Sequence, residues 1–121
     1  MHSALARVSA DLALLGPGQR PEAQVWLAFA ARAAVTPAMA KILQDGYPQV
    51  HSLIAGLIRE AASASATAVD AELEARTLLA LADGLTVQVL LGQLGRDEAR
   101  QTLDAHVQKV CRTAGQNGQR A

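Results

Sequence analysis

The sequence predicts an all-α protein, an antiparallel bundle of about five to six helices, and three observations lead to this fold class. Half of the 121 residues are hydrophobic and only 2% are aromatic, and the frequent alanine and leucine are strong helix formers. Apolar residues recur at three- and four-residue spacing, which aligns side chains along one side of a helix. Glycine and proline separate these periodic segments. A chain of this length can form one domain with a substantial core.

Two helices are predicted in the first 35 residues. The first covers residues 3–15 and ends at Gly16-Pro17-Gly18, where proline and glycine stop a helix. The second covers residues 21–35, because Pro21 is suited to a first helical turn. The middle of this second helix is apolar nearly all round, so we expect it to be central in the fold.

A third helix begins at Thr36 and Pro37, which are typical of an N-cap and a first helical position. Its pattern is interrupted at Gly46-Tyr47-Pro48 and resumes at Val50. Pro48 has no N–H for the carbonyl of Gln44, and its ring clashes there, which costs about 3 kcal/mol in a straight helix. We therefore predict a kink or a short break at this point.

The helix predicted for residues 73–94, capped by Asp70, has apolar residues on two opposite sides. One stripe consists of Ala75, Leu78, Ala82, Leu85 and Val89, and the other of Leu73, Thr77, Ala80, Gly84, Val87, Leu91 and Leu94. One stripe can pack on the core of its own chain, but the second needs another partner. In so short a chain, we expect that partner to be another copy of itself.

An amphipathic helix is predicted for residues 96–112, and with the preceding helix it should form a four-helix dimer interface. The residues expected at this interface are Leu73, Ala80, Gly84, Val87, Leu91, Leu103, His106 and Val110. The predicted domain thus covers residues 1–112, and residues 113–121 are expected to be a disordered tail because they include two glycines and lie at a terminus.

A ligand pocket is predicted near the interruption of the third helix, since a broken helix leaves a gap with free backbone groups beside apolar walls. The candidate ligand-binding residues are Trp26, Phe29, Arg32, Tyr47, His51 and Asp83. The aromatic side chains could instead belong to the core. Arg32 could neutralise an anionic ligand or pair with Asp83 or Glu22, and the sequence leaves this choice open.

Composition and motifs exclude several classes of function. The 11 basic and 11 acidic residues balance and no basic block occurs, so we expect no nucleic-acid binding by this chain. The single cysteine, Cys111, excludes an intramolecular disulfide and fits a reducing compartment, and with no recognisable signal sequence the protein is expected to be cytoplasmic. Residues 78–94 are too short and too polar for a membrane span.

Motifs of catalysis are also missing from the sequence. No nucleophile–base motif, zinc-ligand spacing, phosphate loop or paired-carboxylate arrangement occurs. We therefore expect no enzyme activity, no catalytic residue, no bound metal and no cofactor.

Four segments occur in an order and spacing that are typical of a known family. They are WLAFAAR at residues 26–32, Thr36-Pro37, Asp70 followed by LLALADGL at 78–85, and DEAR at 97–100 leading into LDAH at 103–106. Together they resemble the C-terminal regulatory domain of TetR-family transcriptional regulators, over about residues 21–110. The resemblance implies an all-helical domain that binds small effectors in a pocket between helices and dimerises through its last two long helices.

The resemblance implies a regulatory, effector-binding and dimerisation domain, in which a small apolar or amphipathic effector controls DNA binding by the full-length regulator. The chain departs from the family at Ala30, where a second tryptophan is frequent, and at Gly46 and Pro48, where the helix is often continuous. The family's helix-turn-helix lies N-terminal to this domain, and residues 1–15 supply only one helix, so we expect no operator binding by this chain. The alternative is a stand-alone small-molecule-binding helical dimer without DNA-binding activity; a small helical enzyme is a more distant third.

Overall fold

The computed structural model describes residues 2–61 and 70–120, with side chains for residues 4–60 and 70–111. The described residues form five helices: α1 His2–Leu12, α2 Arg20–Ala33, α3 Pro37–Ala61, α4 Ala71–Leu90 and α5 Arg96–Arg120. These residues contain no strand, so the predicted all-α class is confirmed. No helix among them is long and apolar enough to cross a membrane.

The first helix ends three residues earlier than predicted. Leu14 adopts a left-handed backbone conformation with φ of 55°, which a helix cannot accommodate. The α1–α2 loop is then stabilised by the backbone N–H of Gly16, which donates to Oε1 of Gln19 at 2.7 Å. Gly18 also has a positive φ, 77°, a conformation that glycine adopts without steric cost.

Of the predicted kink or short break in the third helix, the break does not occur, since α3 runs from Pro37 to Ala61 with Pro48 inside it. Residues 41–49 are all exposed, so water can hydrate the carbonyl that loses its partner at Pro48. In addition, the side-chain amide of Gln49, with its nitrogen turned toward the backbone, donates to the carbonyls of Asp45 and Gly46 at 2.9 Å. These two carbonyls adjoin that of Gln44, whose own missing bond is left to solvent.

The core lies between α1, α3, α4 and α5. Its largest fully buried members are Leu5, Ile54, Ile58, Leu78, Leu103 and Val107. The first predicted stripe of α4 faces this core, since Ala75, Leu78, Ala82 and Leu85 are buried and Val89 packs against the cluster. That part of the prediction is confirmed.

The second helix is peripheral, and the expectation that it is central is wrong. Only Ala23 and Ala33 of α2 are buried, while Val25 is 70% exposed. Although α2 has apolar residues on all sides, only one of its sides packs against the rest of the protomer.

Two side-chain hydrogen bonds fix α4 in place. The carboxylate of Asp70 accepts from the backbone N–H of Leu73 at 3.0 Å, so the predicted N-cap is confirmed. The buried hydroxyl of Thr86 donates to the carbonyl of Ala13, which ties the C-terminal half of α4 to the end of α1. This second contact decides which loops meet at that end of the bundle.

The last helix continues as far as Arg120, through residues 113–120 for which the sequence suggested a disordered tail. The tail was inferred from the low helix propensity of Gly115 and Gly118. No proline follows Pro48 in the chain, so nothing in the sequence stops the helix abruptly.

Candidate functional site

The second apolar stripe of α4 lies on the surface of the protomer, directly opposite the buried stripe. We define the α4 stripe as Leu73, Thr77, Ala80, Gly84, Val87 and Leu91. Leu94, which the sequence placed on the same stripe, lies beyond the end of α4 and packs against the core instead. Leu73 is 50% and Leu91 is 62% exposed. A Cβ atom placed on Gly84 would meet nothing within 4 Å. Within the described part of the protomer, the stripe is thus exposed along its length, apart from the half-buried Val87.

The contribution of α5 to the predicted interface is corrected by the structure. Leu103 is 1% and Val110 is 7% exposed, so both belong to the core of their own protomer. His106 is half-buried, with Nε2 4.0 Å from a carboxylate oxygen of Glu74 on α4. The periodic stripe of α5 is used up inside the protomer, and its outer surface is mostly polar: Arg100, Gln101, Thr102, Asp104, Ala105, Gln108 and Lys109.

Tyr47 and His51 are brought together on α3, with ring centroids 5.7 Å apart. Both ring nitrogens of His51 face Glu72 of α4, with Nδ1 3.3 Å from Oε2 and Nε2 3.1 Å from the carbonyl oxygen. Arg59 pairs with the same carboxylate. These contacts join α3 to the first turn of α4, so His51 serves a structural role in this arrangement.

The other four predicted ligand residues are dispersed over α2 and α4. Trp26 and Phe29 are half-buried on α2, and Arg32 is exposed. Asp83 is exposed as well, although desolvation by the surrounding protein raises the pKa of its carboxyl. Among the residues with described side chains, Arg32 forms no ion pair with Asp83 or with Glu22.

An open cavity of about 640 Å³ lies elsewhere, where the α1–α2 loop meets the turn between α4 and α5. Its lining consists of Leu14, Leu15, Gly16, Gly18, Arg20, Ala23, Thr86, Val89, Leu90, Leu94, Gly95, Arg96, Asp97 and Glu98. The walls are mainly aliphatic, and two arginines and two carboxylates carry charge of both signs. None of the six predicted ligand residues lines this cavity.

The cavity follows from two glycine-containing chain reversals that come together in the fold. Gly18 and Gly92, one in each reversal, have left-handed φ values of 77° and 75°. Glycine leaves space where another residue would place a side chain. The hydrogen bond from Thr86 to Ala13 then brings the ends of α4 and α1 side by side. The sequence shows both reversals, but this contact between residues 73 positions apart is not visible in it.

Cys111 and the metal-binding side chains add no further site. Cys111 is half-buried, and burial raises the pKa of its thiol, which disfavours the reactive thiolate. Within the described part of the chain, no cluster of His, Cys, Asp and Glu could hold a metal ion.

Comparison with known proteins identifies the family. The family described as the C-terminal domain of BetI-type transcriptional repressors matches residues 3–112. No curated protein and no solved structure matched the chain. The match spans all five helices, including α4 with its exposed stripe and the loops that line the cavity. The chain therefore belongs to the TetR-family C-terminal domains of the BetI type, which are regulatory domains of transcriptional repressors.

Proposed function

We propose that this chain is the effector-binding and dimerisation domain of a TetR-like transcriptional regulator, and that the effector enters the cavity between the α1–α2 loop and the α4–α5 turn. The observation that carries this proposal is the cavity itself, whose volume of about 640 Å³ falls in the range of about 300–1,000 Å³ that small-molecule sites occupy. Membership of a regulator family supports the same function.

The lining favours a small amphipathic effector. Leu14, Leu15 and Leu90 provide an apolar surface on which an aliphatic or aromatic group can be buried. Arg20 and Arg96 lie among the charged residues of the same cavity and can orient a polar group of the ligand.

The position of the cavity suggests how a bound ligand would affect the dimer. Val89 and Leu90 line the cavity, while Val87 and Leu91 on the same turns belong to the α4 stripe. Suppose that the C-terminal end of α4 has two conformations and that the ligand binds one of them more tightly. The ligand then increases the population of that conformation. By linkage, the geometry of the dimer then affects ligand affinity to the same extent. In the full-length regulator, this shift would control DNA binding.

The test is a thermal-shift screen with amphipathic aromatic compounds and fatty acids. A ligand at 100 times its dissociation constant stabilises the folded state by about 2.7 kcal/mol, which is a shift of several degrees. The variant Leu94→Trp should reduce or abolish the shift because a larger side chain occupies the cavity. The matched control Leu53→Trp, at an exposed leucine of α3, should keep it.

Two results would overturn the assignment of the site. A shift that survives Leu94→Trp but disappears in Tyr47→Ala would place the effector at the aromatic group on α3 instead. Failure of every compound to raise the melting temperature would remove the support for effector binding. The dimer is tested separately by light scattering, where Leu91→Asp should give monomer or aggregate because it places a carboxylate in the α4 stripe.

A further inference from the structure

We infer that the effector of this domain is an aliphatic anion, of which a medium-chain carboxylate is the simplest case, with its charged head at the mouth of the cavity and its tail inside. The inference rests on the proposed effector site and specifies the chemistry of its ligand. Three features of the cavity support it: a buried floor, a charged mouth, and two arginines without a carboxylate partner.

The cavity is apolar at its floor and charged at its mouth. Its buried lining residues, which form the floor, are Leu15, Ala23 and Thr86. The hydroxyl of Thr86 already donates to the carbonyl of Ala13, so these three side chains offer a ligand no free donor. The four charged lining residues, which form the mouth, are all exposed: Arg20, Arg96, Asp97 and Glu98. A ligand that matches this arrangement has an apolar tail and a charged head.

The tail that suits these walls is aliphatic. Among the described residues that line the cavity none is aromatic, and the apolar side chains are Leu14, Leu15, Ala23, Val89, Leu90 and Leu94. A flat ring therefore has no stacking partner in the cavity, and an organic cation has no aromatic face to bind. A flexible hydrocarbon chain can instead follow the branched aliphatic walls.

The two carboxylates at the mouth are stabilised within their own helix. Asp97 and Glu98 lie in the first turn of α5, where the partial positive charge of the helix end favours acidic side chains. Oε1 of Glu98 also accepts the backbone N–H of Gly95 at 3.4 Å, which is one half of a capping box. A cationic ligand would have to compete with these interactions.

The two arginines at the mouth lack comparable partners. Arg20 and Arg96 are the first residues of α2 and α5, where the same partial charge disfavours a cation. Among the residues with described side chains, neither arginine forms an ion pair. An anionic head supplies the missing opposite charge, and a guanidinium group can hold a carboxylate by two parallel hydrogen bonds. The cavity therefore favours an anion over a cation or a neutral ligand.

Isothermal calorimetry with octanoate, octanol and octylammonium tests the charge of the ligand. The three probes share a hydrocarbon tail and differ in the head group. Octanoate should bind roughly tenfold or more tightly than the other two, because only its head carries the charge opposite to a guanidinium group.

Two arginine variants test the position of the head group. Arg20→Gln and Arg96→Gln should each weaken octanoate binding by roughly tenfold or more and leave the affinity for octanol unchanged. Arg100→Gln is the matched control, since Arg100 is exposed on the same helix as Arg96 but does not line the cavity. Neither cavity variant should lower the melting temperature of the ligand-free protein, because no ion pair is lost.

The contrary outcomes are distinct. Octanol or octylammonium binding as tightly as octanoate would overturn the inference, and so would an octanoate affinity that is unchanged in both cavity variants. If none of the three probes binds but the thermal-shift screen finds another compound that Leu94→Trp excludes, the anion is refuted and the proposed effector site stands. If no compound of either set binds, the proposed function fails as well.

Discussion

Replacement of Leu103 by alanine should destabilise the protomer and leave dimerisation nearly unchanged. The Leu103 side chain is 1% exposed and packs with Leu5, Ile54 and Leu78 in the main core. Removal of a fully buried leucine side chain costs about 3–5 kcal/mol, because transfer energy is lost and a cavity remains. For a chain of this size each kcal/mol lowers the melting temperature by roughly 3–5 °C, so the decrease should be on the order of 10–20 °C.

The assay combines urea unfolding, which gives the free energy of unfolding, with sedimentation, which gives the dimer dissociation constant. Leu91→Ala is the matched control, since Leu91 is 62% exposed in the protomer. It should weaken the dimer and change the urea midpoint much less when the two proteins are compared as monomers. The milder Leu103→Val variant should lie between wild type and Leu103→Ala in stability.

One pattern would refute this reasoning. If Leu103→Ala weakened the dimer while its unfolding free energy stayed within about 0.5 kcal/mol of wild type, a size typical of surface substitutions, Leu103 would contact the partner. The assignment of the α5 stripe to the protomer core would then be wrong.

Three further substitutions probe α3, α4 and the link to α1. Thr86→Val should lower the free energy of unfolding by about 1–3 kcal/mol, because the carbonyl of Ala13 loses its buried donor; urea unfolding measures this, and an unchanged midpoint would contradict it. Pro48→Ala should raise the free energy of unfolding by up to about 3 kcal/mol, because it restores the missing N–H and removes the ring clash in α3; urea unfolding measures this, and a decrease would contradict it. Asp83→Asn should raise the melting temperature at neutral pH, because the carboxyl pKa is raised in the folded state. The resulting loss of stability begins as pH rises above the ordinary value, where the unfolded chain ionises, and is complete above the raised pKa. This gain should vanish below pH 3.8, the ordinary value for the group, and a gain that persists there would exclude the ionic origin.

Local signals in the sequence were sufficient to predict the main helices and the two apolar stripes of α4. Three-four spacing and the Asp70 cap depend on neighbours within a few residues, and the structure confirms the main helices and this cap. The break at Pro48 was wrong for a reason of environment. Sequence alone does not show that this part of α3 is exposed, so that water can hydrate the carbonyl of Gln44.

The candidate sites depended more strongly on tertiary contacts. A single apolar stripe, as on α5, is equally compatible with packing on its own chain or on a partner, and the sequence therefore assigned Leu103 and Val110 to the dimer interface. The structure shows that α1, α3 and α4 already bury this stripe. The aromatic residues on α2 and α3 likewise do not line the cavity between the two loops, because their positions in the fold depend on the same tertiary packing.

By itself, the amino-acid sequence determined the all-α class, the main helices, the family resemblance and the presence of a second apolar stripe on α4. These features follow from periodicity and from residues close together in the chain. Only the tertiary structure decided that the apolar stripe of α5 is buried in the protomer while the second stripe of α4 is exposed, and that the cavity lies between two distant loops. Both outcomes depend on which helix faces pack together and on contacts such as Thr86 to Ala13, which join residues far apart in sequence.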